Sequence, residues 1–249
     1  MPDPALAPEP LAAEIERRVP ALSRRVIEEM YQNPFWGERF GDGGRGHANE
    51  DGDFHVRYLA EAARAGSPAV MITYARWLRS VLTARGMCTR HLADNFARLA
   101  AAVGAEEMPG RTQVIDLLIE AEAGLLYEAP EPRAIQERAP DLAAAAIGRL
   151  QAAHADWYQE GRGWGRCLDD ALYHLSYLAD AVAMGRADLF MGYLTFISRL
   201  FARRAVPAPH LTEMLKALSA ALSEGGLALA DARAIVDAGA ASLERGEPA

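Results

Sequence analysis

The sequence has little of what marks several common classes of protein. Cysteine occurs only as Cys88 and Cys167, too few for a disulfide framework. No run of about eighteen apolar residues is present, so the sequence predicts no membrane span. The acidic, proline-rich segment 1–13 lacks the basic start and apolar stretch of a signal peptide. These absences predict a cytoplasmic protein.

Positive charge is also scarce. The chain has 26 Lys and Arg against 34 Asp and Glu, a formal net charge of -8, and no basic block stands apart from acidic residues. A surface of this sign repels the phosphate backbone of nucleic acids. We therefore expect no nucleic-acid partner.

What is abundant is alanine and leucine, while β-branched residues are few. Alanine and leucine lose little on entering a helix, whereas β-branched residues favour strands. No segment alternates apolar and polar residues with the two-residue period of a strand. The sequence predicts an all-α fold, and its 249 residues suggest two domains.

An internal repeat appears when the chain is compared with itself at an offset of 119 positions. The matches include uncommon residues, and no gap is needed over more than fifty positions. The pairs include His55 with His174, Tyr58 with Tyr177, Gly66 with Gly185, Tyr74 with Tyr193, Asp51 with Asp170 and His91 with His210. We therefore predict two tandem helical repeats, residues 9–129 and 130–247.

Glycines predict where the helices of each repeat are interrupted. The glycine-rich stretches Gly41 to Gly46 and Gly161 to Gly165 are expected to form flexible turns before the second helix of each repeat. That helix should end at Gly66 or Gly185, as helices with a glycine C-cap do.

The second helix of repeat two carries the residues of greatest chemical interest. Cys167, Asp170 and His174 lie at spacings of three and four, so they share one face of a helix with about 3.6 residues per turn. Repeat one keeps Asp51 and His55 but lacks the cysteine. A structural interpretation is a local Asp–His pair and a half-buried histidine in the core. A functional interpretation is that this face contacts a planar ligand, and both stay open.

A linear tetrapyrrole would suit such a face. Its pyrrole N–H groups would supply the donors that a carboxylate in an apolar cleft needs. A thiol one turn away could add to its vinyl or ethylidene group, and Tyr177 and other aromatic side chains could pack on its rings. Arg166 could pair with its propionates.

The run Cys167-Leu168-Asp169-Asp170, followed by Tyr177 and Gly185, resembles the chromophore helix of phycobiliproteins. The resemblance implies two tandem globin-like domains, with Cys167 as the bilin attachment site and Asp170 as the partner of the pyrrole nitrogens. Asp169 departs from the arginine that this family usually has there. The chain also resembles non-haem globin-like sensor domains, which often hold no cofactor.

These observations predict a binding or sensory protein rather than an enzyme. The expected ligand is a bilin such as biliverdin. The second interpretation is a cofactor-free module that binds a protein partner or forms a homodimer. The third is a haem or metal protein, with haem between His55 or His174 and His91 or His210. The candidate ligand-binding residues are Arg166, Cys167, Asp170, His174 and Tyr177 in repeat two, and Asp51, His55 and Tyr58 in repeat one.

Overall fold

The computed structural model describes residues 5–155, 164–207, 209–224 and 229–246. Over these ranges every regular element is a helix, which confirms the all-α prediction. The helices are α1 (Pro8–Glu16), α2 (Val19–Met30), α3 (Pro34–Ala65), α4 (Ala69–Ala84), α5 (Thr89–Gly104), α6 (Arg111–Ala123), α7 (Pro130–Ala153), α8 (Trp164–Met184), α9 (Ala187–Arg203), α10 (His210–Glu224) and α11 (Ala230–Glu244). None of these helices has both the length and the apolarity needed to cross a membrane.

The chain divides into two compact units. Unit 1 comprises Met1–Val81 and His91–Leu125, and unit 2 comprises Leu82–Arg90 and Leu126–Ala249. The short segment Leu82–Arg90, which spans the end of α4, the connector and the start of α5, thus belongs to unit 2. The repeat boundaries and the globin-like topology stay predictions.

In unit 1 the long helix α3 is the central element. Helices α1 and α2 both pack along it, and α6 contacts it as well. The apolar face of each helix supplies fully buried side chains, because burying aliphatic and aromatic area is the main favourable contribution to folding. The core of this unit includes Ile15, Leu22, Ile27, Leu59, Phe96, Leu99 and Leu118.

In unit 2 the central contacts are those of α7, α8, α10 and α11. Helix α7 packs against α8 and α10, α11 packs against α10, and α9 contacts α8 and α11. Gly239 in α11 permits a close approach to α9, since a Cβ there would lie 2.6 Å from the side chain of Leu194. The core of this unit includes Ile135, Ile147, Leu175, Phe190, Leu194, Leu215 and Val236.

The predicted glycine C-caps are present. Gly66 and Gly185 have φ of 60° and 61°, the left-handed conformation in which glycine has no Cβ penalty. In each case the next residue donates its N–H back into the helix, from Ser67 to Ala62 O and from Arg186 to Ala181 O. The second helix of each repeat therefore ends where the sequence predicts.

The interruption predicted at Gly41 to Gly46 is present but shorter than expected. Helix α3 consists of two helical segments that meet at a kink at Gly41, whose φ of 63° and ψ of -169° are non-helical, and the rest of the stretch is helical. The glycines permit a close approach here: a Cβ at Gly44 would lie 2.5 Å from Phe40 Cβ and 3.3 Å from the Tyr31 hydroxyl. In repeat two, 161–163 lie outside the described residues, and α8 already begins at Trp164.

Candidate functional site

The face of α8 predicted from the sequence is turned toward the interior of unit 2. His174 is 1 % exposed, Cys167 is buried, and Tyr177 is buried as well. Asp170, between the cysteine and the histidine, is half-buried. Arg166 precedes this face and is exposed.

His174 forms a hydrogen bond with Tyr193, which the sequence indicated only as the repeat counterpart of Tyr74. Its Nδ1 lies 2.7 Å from the hydroxyl of Tyr193, on helix α9. The ring of Tyr193 stacks on that of Tyr177 at 3.7 Å between centroids, with 12° between the planes. Burial, with the nearby His210, lowers the pKa of His174 to about 3, so the imidazole is neutral at physiological pH.

Unit 1 contains the same cluster. His55 Nδ1 lies 2.8 Å from the Tyr74 hydroxyl, and Tyr74 stacks on Tyr58 at 3.9 Å with 13° between the planes. Burial lowers the pKa of His55 to about 4. In both units the histidine and its tyrosine are 19 residues apart. We refer to the set His55, Tyr58 and Tyr74, and to the set His174, Tyr177 and Tyr193, as the His–Tyr–Tyr clusters.

The central tyrosine of each cluster keeps its proton. Burial raises the pKa of Tyr193 well above its ordinary value, and electrostatic interaction with the Tyr177 hydroxyl and the Asp170 carboxylate raises it further. Burial raises the pKa of Tyr74 too, with Asp51 as the next cause. Each His–Tyr pair is thus a neutral hydrogen bond in a low-dielectric interior, where such a bond is strong and costly to break.

Asp170 differs from His55 and His174, each of which has a hydrogen-bond partner. Among the described residues no side chain or backbone group forms a hydrogen bond with its carboxylate. Burial raises the pKa of Asp170 to about 6, although Arg166 and Arg204 act in the opposite direction and Asp169 adds repulsion. A half-buried carboxylate of this kind is available to a ligand that brings N–H donors or positive charge.

Cys167 has an imidazole partner that the sequence analysis did not identify. Its Sγ lies 3.8 Å from Nε2 of His210, at the start of α10, and neither residue is more than slightly exposed. His210 lies 43 residues after Cys167, so the spacing of residues along one helix could not predict this contact.

The matching histidine of unit 1, His91, is packed among aromatic rings. It stacks on Phe35 at 5.4 Å and meets the edge of Trp36 at 5.0 Å. These contacts favour the interpretation of His91 as a packing residue over that of an axial haem ligand. Over the described part of the chain, no group of three or more His, Cys, Asp or Glu side chains is arranged to hold a metal ion.

A second polar cluster in unit 2 was missed by the sequence analysis. The buried carboxylate of Asp180 accepts hydrogen bonds from Thr89 N at 2.7 Å, from Thr89 Oγ1 at 2.5 Å and from the Tyr127 hydroxyl at 2.7 Å. Its counterpart at the repeat offset is Glu61, which is exposed and pairs with Arg64. The difference between Glu61 and Asp180 at equivalent positions of the repeat was visible in the sequence, but nothing in the sequence indicates that Asp180 is buried.

The structure therefore brings Cys167, Asp170, His174 and Tyr177 together on one helix face of unit 2. In unit 1 it places His55 in the core and leaves Tyr58 partly exposed. A second arginine near the start of α8, Arg162, lies outside the described residues.

Comparison with known proteins adds no relative. No family model, no curated protein and no solved structure matches this chain. The resemblance to phycobiliproteins accordingly depends on the residues of α8 alone.

Proposed function

We propose that this protein is a ligand-binding or sensory protein and that unit 2 binds a linear tetrapyrrole at the Cys167 end of α8. The observation that carries the proposal is Asp170, a half-buried carboxylate without a hydrogen-bond partner among the described residues. Pyrrole N–H groups are donors of the kind it lacks.

The neighbours of Asp170 suit the same ligand. Cys167 lies one turn earlier on the same face, and His174 lies one turn later, with its ring fixed by Tyr193. Arg166 and Arg204 are close enough to act on the Asp170 carboxyl, so cationic groups are present for the carboxylates of a ligand. The site combines an acceptor, a thiol and positive charge within two helical turns.

The pairing of Cys167 with His210 offers a route to covalent attachment. The imidazole would accept the thiol proton as sulfur bonds to one carbon of a vinyl group, and the proton would then pass to the other carbon. The thiol adds across the double bond, so atoms and electrons balance without an oxidant. Noncovalent binding would need Asp170 but not this step.

The test is the visible spectrum after incubation with biliverdin. We expect binding to shift and sharpen the long-wavelength band, and Asp170→Ala to abolish the shift. Asp169→Ala is the matched control, because Asp169 is adjacent, acidic and exposed. A wild-type protein that leaves the biliverdin spectrum unchanged would refute the proposal.

Attachment is tested separately by mass spectrometry of the denatured protein. If the bond forms at Cys167, Cys167→Ala should lose the added mass, whereas Cys88→Ala, at the other buried cysteine, should retain it. An unmodified wild-type protein with a shifted spectrum would indicate noncovalent binding.

The second candidate is a cofactor-free interaction module in a regulatory pathway. It is favoured by the two His–Tyr–Tyr clusters, because both histidines already have partners inside their own unit. This candidate predicts no spectral change with biliverdin or haem, together with saturable binding to a protein partner. Haem, the third candidate, is tested by the same titration, in which it would give a Soret band that His174→Ala removes.

A further inference from the structure

Two connectors in this protein have the same backbone turn. Gly86, in the connector from α4 to α5, has φ 82°, and Ala205, at the repeat offset in the connector from α9 to α10, has φ 53°. In both, the following residue donates its N–H five positions back, from Met87 to Leu82 O and from Val206 to Phe201 O, each at 3.0 Å. We call them the Gly86 turn and the Ala205 turn.

The Gly86 turn covers one side of the His–Tyr–Tyr cluster in unit 2. The Tyr177 hydroxyl donates to Gly86 O at 2.9 Å, and Tyr177 is 3 % exposed. Just after the turn, Arg90 donates its N–H to Ser176 Oγ at 3.0 Å, and its guanidinium lies 5.3 Å from the Tyr173 ring centroid. The surface of α8 that carries Tyr173 and Tyr177 is thus occupied by a turn.

The equivalent surface of unit 1 is uncovered. Phe54 and Tyr58 on α3 are 54 % and 39 % exposed, and Trp77 on α4 is 58 % exposed. The Tyr74 ring is stacked on Tyr58 and lies 6.1 Å from Trp77, and Phe54 lies one helical turn before Tyr58 on α3. We call Phe54, Tyr58 and Trp77 the aromatic face. The Tyr58 hydroxyl forms no hydrogen bond with any described residue.

The Ala205 turn keeps its shape although alanine is poorly suited to it. A left-handed conformation costs a residue with a Cβ on the order of 1 kcal/mol. Ala205 is the one non-glycine residue with positive φ in the described part of the chain, and it is exposed. The turn that covers the aromatic cluster of unit 2 therefore has an exposed counterpart, the Ala205 turn.

From these matched surfaces we infer that a second copy of this chain docks its Ala205 turn on the aromatic face of the first. Tyr58 would donate to Ala205 O of that copy, as Tyr177 donates to Gly86 O within unit 2. Because the two surfaces of such a contact differ, it is heterologous: the first copy keeps its Ala205 turn and the second copy keeps its aromatic face for contact with further copies.

The residues around these surfaces have changed in a compatible way. The donor N–H of Arg90 has no counterpart in the second connector, where Pro209 stands at the repeat offset. Its acceptor Ser176 has no counterpart either, since unit 1 has Arg57 there. Because the donor N–H and the acceptor hydroxyl are both missing, docking of the Ala205 turn on the aromatic face would leave no hydrogen-bonding group unpaired at this point.

Two variants separate this arrangement from other associations. Trp77→Glu places a charge on the aromatic face, and Val206→Glu places one beside the Ala205 turn. In sedimentation velocity over a wide range of concentration, we expect the wild-type protein to associate progressively and each variant alone to remain monomeric. An equimolar mixture should form dimers and nothing larger, because only one intact pair of surfaces is available.

Ile119→Glu is the matched control, because Ile119 is 55 % exposed on α6, outside the aromatic face. It should associate like the wild-type protein. Tyr58→Phe, which removes only the hydroxyl, should weaken association by roughly 5- to 10-fold. That variant also tests the contact if a glutamate variant fails to fold.

A wild-type protein that is monomeric at every concentration would overturn the inference. So would dimerisation of Val206→Glu alone, which would indicate that two aromatic faces meet each other. Loss of association in Ile119→Glu would also overturn it, because the attraction would then be a general apolar one.

Discussion

The two His–Tyr–Tyr clusters are nearly superimposable in their distances but differ in what lies over them. The His–Tyr hydrogen bonds are 2.8 and 2.7 Å, and the ring stacks are 3.9 and 3.7 Å. Yet Tyr58 is partly exposed, whereas its counterpart Tyr177 is buried and bonded to Gly86 O. The interior of the repeat has been retained, while the residues around it have taken different roles.

The difference extends to the charged residues. In unit 2 the carboxylate of Asp180 is buried under three donors, whereas its counterpart Glu61 lies at the surface beside Arg64. Glu61 is one methylene longer than Asp180 and lies at an exposed position. Its ion pair with Arg64 therefore contributes little to stability, whereas the Asp180 carboxylate is a buried hydrogen-bond acceptor. Comparison of matched substitutions in the two units therefore measures what burial adds.

The largest effect should come from Asp180→Ala. Removal of the carboxylate leaves Thr89 N–H, the Thr89 hydroxyl and the Tyr127 hydroxyl without their acceptor in the interior, which should cost about 3 kcal/mol in the free energy of unfolding. Glu61→Ala should change it by less than about 0.5 kcal/mol. Urea denaturation followed by circular dichroism measures both, and equal losses would contradict the difference in burial.

The clusters themselves should respond alike. Tyr193→Phe and Tyr74→Phe each leave a buried imidazole nitrogen without its hydroxyl partner, so each should lose about 1–2 kcal/mol. The rings and their stacks remain in both variants. If Tyr74→Phe were neutral while Tyr193→Phe was destabilising, the hydrogen bond of unit 1 would be replaced by water in the more exposed cluster.

Asp170→Asn should stabilise the protein at neutral pH. The folded pKa of Asp170, about 6, lies above that of an unfolded aspartate, about 3.9, so the folded state holds the proton more tightly. The penalty for ionising Asp170 is absent below the lower value, grows as pH rises between the two, and is complete above about pH 6. The variant removes this penalty, a gain of about 1–2 kcal/mol at neutral pH.

The histidines give the opposite dependence and must be separated from it. The folded pKa values of His55 and His174 lie below that of an unfolded histidine, so the stability that the two neutral histidines contribute is lost as pH falls below about 6.5. The wild type and Asp170→Asn both contain these two histidines, so the difference between their free energies of unfolding depends on the Asp170 carboxylate alone. Asp169→Asn, at an exposed position, should show no pH-dependent gain.

Much of the fold was predictable because its signals are local. Composition indicated an all-α chain, and the glycines at 66 and 185 marked helix ends by the conformation they adopt. At Gly41 to Gly46 the glycines correctly indicated an interruption but not its length, because glycine is unfavourable in a helix as a local property, whereas Gly44 lies within the helix and packs against Phe40 and Tyr31. Tertiary contacts of this kind leave no mark in a single sequence.

The site was predictable along one helix and not beyond it. Helical spacing correctly placed Cys167, Asp170 and His174 on one face, since that depends on the residues per turn. Their partners, His210 for Cys167 and Tyr193 for His174, come from other helices. For Tyr193 the sequence offered one indication, because Tyr74 and Tyr193 repeat at the same offset as His55 and His174. Whether a face is covered, as at Tyr177, or open, as at Tyr58, depends on a turn elsewhere in the chain.

The smallest effect concerns the two turns. Gly86→Ala forces a side chain into a left-handed conformation and should cost about 0.5–1 kcal/mol, whereas Ala205→Gly relieves that strain and should gain a similar amount. In both variants the change in the entropy of the unfolded chain opposes the change in strain, which keeps both effects small. If Ala205→Gly were instead destabilising in urea denaturation, the alanine would be making contacts that outweigh its strain. The two turns would then differ in more than their exposure.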